Sequence, residues 1–81
     1  MSYKMRLQWF NKKTSEGEGK EFSAIIDNSV YFLDKLGLSD ETDIYDGGYD
    51  VKVDWLQYIQ QYFKHQINFQ RYDYQLAFRS V

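Results

Sequence analysis

Along residues 3–9 apolar and polar side chains alternate with period two, so Tyr3, Met5, Leu7 and Trp9 share one face and the segment is a predicted strand. Residues 11–19 are polar and carry Gly17 and Gly19, which predicts a hairpin-type connection. A second strand is expected over residues 21–26, with Phe22, Ala24 and Ile26 on one side and Glu21, Ser23 and Ile25 on the other. Asp27, Asn28 and Ser29 are all suited to an N-cap. Val30, Leu33 and Leu36 then recur at helical spacing before Gly37, so a short helix is predicted there. Residues 39–48 are Asp-rich and end in Asp46-Gly47-Gly48, which permits a tight turn. Tyr49, Val51, Val53 and Trp55 alternate with Asp50, Lys52 and Asp54, the clearest two-faced strand pattern in the chain. Residues 55–63 fit a short helix or an aromatic turn. Tyr72, Tyr74, Leu76 and Phe78 alternate with Arg71, Asp73, Gln75 and Ala77 as a last strand. The expected fold class is α+β, mostly β: a single four-stranded antiparallel sheet with one short helix covering one face, as one domain over residues 1–81.

Aromatic residues make up 20% of the chain, and this changes how the alternation is read. A domain of 81 residues without any Cys has no covalent staple, so burial of large rings must supply most of the core, and Trp9, Trp55, Tyr62 and Phe63 are assigned to it. Lack of Cys also removes disulfides, thiolate metal sites and thiol nucleophiles, and fits a reducing compartment. Residues 1–6 contain no apolar run after their basic residues, and no stretch approaches membrane-spanning length, so a cytoplasmic protein without membrane association is expected.

Charge adds a direction. The net charge is only −2, but Asp34, Asp40, Glu41, Asp43, Asp46, Asp50 and Asp54 face only Lys35 and Lys52 in the middle of the chain. Such a negative centre attracts a basic partner and repels phosphate, although acid runs also serve simply to solvate loops.

Catalytic chemistry finds little support. His65 is the one histidine, no serine lies in a nucleophile-elbow pattern, and Asp43 and Asp46 sit on a glycine-flanked loop where nothing desolvates them to set one up as acid and the other as base. Asp40, Glu41, Asp43 and Asp46 lack the ligand spacing of a calcium loop, and no Lys follows Gly17-Glu18-Gly19 to make a phosphate cradle. No cofactor, no metal and no enzymatic activity are expected. An RNA-binding sheet is disfavoured because Tyr49 lies among Asp46, Asp50 and Asp54 rather than among Lys and Arg.

Three blocks in order resemble the cloacin and E-type RNase-colicin immunity proteins. Leu7-Gln8-Trp9-Phe10-Asn11-Lys12 is similar to that family's Leu-Thr-Trp-Phe-Asp-Lys. Gly47-Gly48-Tyr49-Asp50-Val51 is followed by Trp55 at the family's spacing, and residues 60–67 are similar to its Gln-Pro-Tyr-Phe-Asn-His-Gln-Ile. Leu36-Gly37 and the final aromatic strand agree as well.

The resemblance implies a small antitoxin whose exposed sheet face binds, 1:1, the basic cytotoxic nuclease domain of a cognate bacteriocin. It places the interface on Phe10 and on a central strand from Gly48 to Asp54. Tyr49 and Phe10 would then be aromatic anchors, with Asp46, Asp50 and Asp54 pairing to cations. Parity with Val51 and Trp55 leaves core packing equally open for Tyr49. Glu21 joins the set beside Lys20. Lys20 and Lys52 bring positive charge where relatives are often acidic or apolar, and Lys20 predicts an acidic residue opposite it on the partner. A generic module for another basic protein and an RNA-binding domain remain the alternatives. The expectation rests on a row of carboxylates flanking an aromatic on one water-facing strand.

Overall fold

The computed structural model describes residues 2–27, 29–41 and 43–80, with the side chains of Ser29 and Val30 outside that description. The alternation at the start of the chain becomes strand β1 (Tyr3–Asn11). Tyr3, Met5 and Leu7 are fully buried, while Lys4, Arg6 and Gln8 point the other way and are half-buried. The last alternation becomes β4 (Tyr72–Ser80), with Tyr74, Leu76 and Phe78 on the covered face. These two strands pair antiparallel along their whole length, from Tyr3 opposite Ser80 to Asn11 opposite Tyr72. Strand β2 (Gly17–Phe22) pairs with the free side of β1, and β3 (Tyr49–Asp50) pairs with the free side of β4. The order is β2-β1-β4-β3, a single four-stranded antiparallel sheet, as the patterning led one to expect.

The hairpin between β1 and β2 is closed by side-chain chemistry. The Asn11 Oδ1 accepts hydrogen bonds from the amides of Lys13 (2.8 Å) and Thr14 (3.1 Å), and Ser15 takes a left-handed φ of 65°. This turn sets the register, and it moves β2 earlier than residues 21–26. Beyond Phe22 the Ser23 amide still donates to the Met5 carbonyl (2.8 Å). The Ser23 hydroxyl, however, accepts the Met5 amide (2.9 Å) in place of a strand carbonyl, which ends regular pairing. Only Ile26 bridges back, opposite Tyr3. Within β2, Gly19 is required: the Trp9 indole lies across it, and a Cβ there would meet Trp9 Cζ2 at 2.5 Å.

Helix α1 (Ser29–Lys35) covers one side of the sheet. Its end is a Schellman motif: Gly37, at φ 76°, donates to the Asp34 carbonyl (3.1 Å) and Leu38 donates to Leu33 (2.9 Å). Of the three N-cap candidates, Asn28 lies outside the described residues and so does the side chain of Ser29. Phe32, Leu33 and Leu36 from α1 meet Tyr3, Met5, Leu7, Leu76 and Phe78 in one core, closed by Leu38, Ile44, Trp55, Ile59, Phe63 and Ile67.

The strand expected over residues 49–55 is the main departure. Pairing stops at Asp50, apart from one more bond from the Val51 amide to the Tyr74 carbonyl (3.1 Å). Lys52 is extended, and the chain then coils through a 3-10 turn (Val53–Trp55), the single turn α2 (Leu56–Ile59) and a second 3-10 turn (Gln60–Tyr62). Coiling buries Trp55 at 4% exposure and leaves Val53 at 68%, which a continued strand would have placed on the same face. The stretch is also an edge of the sheet rather than its centre.

Candidate partner-binding face

Because α1 and the coiled stretch all pack on one side, the opposite side of the sheet stays open. Its occupants follow from register, since residues directly opposite across an antiparallel pair point the same way. Lys20, Gln8, Gln75 and Asp50 form one row across all four strands. Phe22, Arg6 and Ala77 form the next, and Lys4 with Arg79 the one beyond. On the other side of the first row lie Phe10 and Asp73.

At that end a groove of about 460 Å³ opens between Phe10, Val51, Phe69 and Tyr74, with Asp50, Asp73 and Gln75 around it. Gln75 Nε2 donates to Asp50 Oδ1 at 3.4 Å, and Lys12 pairs with Asp73 at 3.5 Å. Gly48 abuts Gln75, where a Cβ would sit 3.1 Å from Oε1, so its glycine leaves room for that amide. The groove combines an apolar floor with carboxylates, a setting for a long basic side chain whose stem packs while its head is paired.

The structure scatters the expected row of carboxylates. Phe10, Lys20 and Asp50 lie on the open face with Gly48 at its edge. Tyr49 instead faces the covered side, its ring 6.0 Å from that of Phe78. Its hydroxyl pKa is raised by burial first and then by the charges of Glu41, Asp43 and Asp46, so Asp46 belongs to a loop cluster around Tyr49 and not to a strand. Lys52 and Asp54 lie beyond the end of β3, in a depression shared with Asp34, Lys35 and Tyr58. The physical reason is the short β3: once pairing ends, alternate residues no longer share a face. Sequence reasoning missed Asp73, Gln75 and Phe69. The first two alternate with Tyr72 and Tyr74 and were visible as open-face positions, whereas no local signal marks Phe69.

Glu21 also faces the covered side, and its carboxylate accepts the backbone amides of Lys64 (2.8 Å) and His65 (2.9 Å), fastening β2 to the loop after Tyr62. Beside it the His65 ring stacks on Trp9, centroids 3.8 Å apart and planes within 10°. Its Nε2 is 2.8 Å from the Tyr74 hydroxyl, which also accepts the Asn68 amide at 2.8 Å. Every contact of this histidine is one of packing or fastening. Burial lowers its pKa from 6.5, with Glu21 partly opposing. A group depressed in the folded state is protonated first in the unfolded chain. Stability from His65 is therefore present above pH 6.5 and lost as pH falls through the lower folded value. Urea midpoints should fall between pH 7 and pH 5, and the fall should be smaller in His65→Gln; an equal fall in both would remove His65 as a cause.

The sequence matches the family model described as cloacin immunity protein over residues 2–80. The chain belongs to the cloacin immunity protein family. Members are bacteriocin immunity proteins, inhibitors that act by binding a cognate toxin and not by catalysis. For a cloacin immunity protein the informative feature is a docking surface, and among the described residues the open sheet face with its groove is a surface that the fold leaves uncovered. Among the described residues no helix is long and apolar enough to cross a membrane, and no three His, Asp or Glu side chains are gathered as metal ligands.

Proposed function

We propose that this cloacin immunity protein binds, 1:1 and in the cytoplasm of the producing cell, the basic ribonuclease domain of its cognate bacteriocin through the open face of the sheet. The observation that carries this reading is the groove at the β3 edge, where Phe10 and Phe69 flank a space bordered by Asp50 and Asp73. A Lys or Arg of the toxin would pack its stem on the rings and pair at the carboxylates. Asp46 and the acids around Tyr49 supply negative potential next to that groove, while Asp54 and Lys52 act at longer range. Tyr49 and Glu21 serve the surface from behind, Tyr49 by backing the β3 edge and Glu21 by holding β2, and Gly48 leaves Gln75 free to orient Asp50.

Exchange of Asp50 for Lys tests the reading. Association with the ribonuclease domain should slow by about tenfold or more at low ionic strength, with the difference shrinking at high salt. Stopped-flow fluorescence reads the rate directly, and cleavage of ribosomal RNA in the presence of an equimolar amount of each variant reads protection. An unchanged association rate would remove Asp50 and its groove from the interface.

A further inference from the structure

The half of the open face away from the groove has the opposite sign. Lys4, Arg6, Lys20 and Arg79 come together there by register, around an aromatic ring, Phe22, that is 46% exposed. Among the described residues the one ion pair is Lys12 with Asp73, so none of these four cations has a carboxylate partner within that set. Lys4 is held over the Phe22 ring, 4.9 Å from its centroid. The Arg6 side chain is half-buried, and its Nε is buried without a hydrogen-bond acceptor.

Resting on the reading that the open face binds a protein, we infer that this basic half is a second docking site, for a segment of the partner carrying Asp or Glu. The face is thus two-signed. Lys20 and Asp50 sit at opposite edges of one row, three inter-strand spacings or about 14 Å apart. A partner must present a cation to the groove and carboxylates to the basic half at that separation, which fixes one orientation and rejects a uniformly basic surface through like-charge repulsion. Nucleic acid fits less well, because Asp50 and Asp73 stand on the same face and the chain is net negative.

The test uses defined probes and the full chain. Backbone amide shifts are followed by NMR during titration with deca-glutamate and, separately, with decauridylate RNA. Deca-glutamate should perturb residues 4, 6, 20, 22 and 79, and the double exchange Lys20→Glu with Arg79→Glu, both at exposed positions, should weaken its binding by about tenfold. The inference is overturned if the peptide perturbs none of these residues, if the variant binds it as well as the parent chain, or if the RNA binds the same residues at least as tightly as the peptide. Because neither probe is a bacteriocin, failure here leaves the Asp50 association test, which decides the wider reading, standing on its own.

Discussion

Replacement of Phe78 by Ala is expected to lower the unfolding free energy by about 3–5 kcal/mol. Phe78 is fully buried in β4, directly opposite Met5, and its ring meets Tyr3 at 5.2 Å and Tyr49 at 6.0 Å. Truncation opens a cavity between the central strands and the β3 edge, where no neighbouring element can collapse inward without disturbing the pairing of Tyr49 with Leu76. A domain of this size has a total stability on the order of 5–15 kcal/mol, so the variant should melt tens of degrees lower or be partly unfolded at room temperature. Circular dichroism melts check this, and a loss below about 1 kcal/mol would mean the core is not organised around this ring.

The second large effect should come from Glu21. Its carboxylate fastens an edge strand to a loop more than forty residues away in sequence, through two charge-assisted bonds to backbone amides. Glu21→Ala leaves both amides without that acceptor and should cost about 2–3 kcal/mol, while Glu21→Gln, which keeps one good acceptor, should cost about half as much. Hydrogen exchange distinguishes this from a general loss of stability: the amides of Lys64 and His65 should lose protection well before those of β1. If all amides accelerate together, the tether is not local. Since Lys20 is the next residue on the same strand, loss of the tether should also loosen the presentation of the basic half of the face.

Legibility in the sequence followed the physics of each segment. β1 and β4 could be read because each buries one side against a core, so the alternation of Tyr3, Met5 and Leu7, or of Tyr74, Leu76 and Phe78, is a direct print of the sheet. The end of α1 could be read because Gly37 must adopt a left-handed conformation. β2 was misplaced because it is an edge strand whose residues are mostly exposed, leaving no apolar alternation to detect; its position is set by the Asn11 turn instead. Residues 49–55 misled because Val51, Val53 and Trp55 mimic a strand while Val53 belongs to a coil. Alternation reports side-chain polarity and carries no information on whether a neighbour is present to pair. The anchoring role of Glu21 and the glycine at position 19 depend on contacts with Lys64, His65 and Trp9 that only the assembled fold brings together. For the site, Phe10, Lys20 and Asp50 do lie on the open face, but the shared face expected for Asp46, Asp50 and Asp54 vanishes with the strand that was to carry it.

The pairing of β1 with β4 has a kinetic consequence. The two strands at the middle of the sheet are also the two farthest apart along the chain, so the hydrophobic nucleus they form requires nearly the whole polypeptide to be closed into a loop first. Such high contact order slows folding, and a single domain this small folds all-or-none. On the ribosome the inhibitor would therefore have neither core nor binding face until residues 72–80 had emerged, and it would acquire both at once.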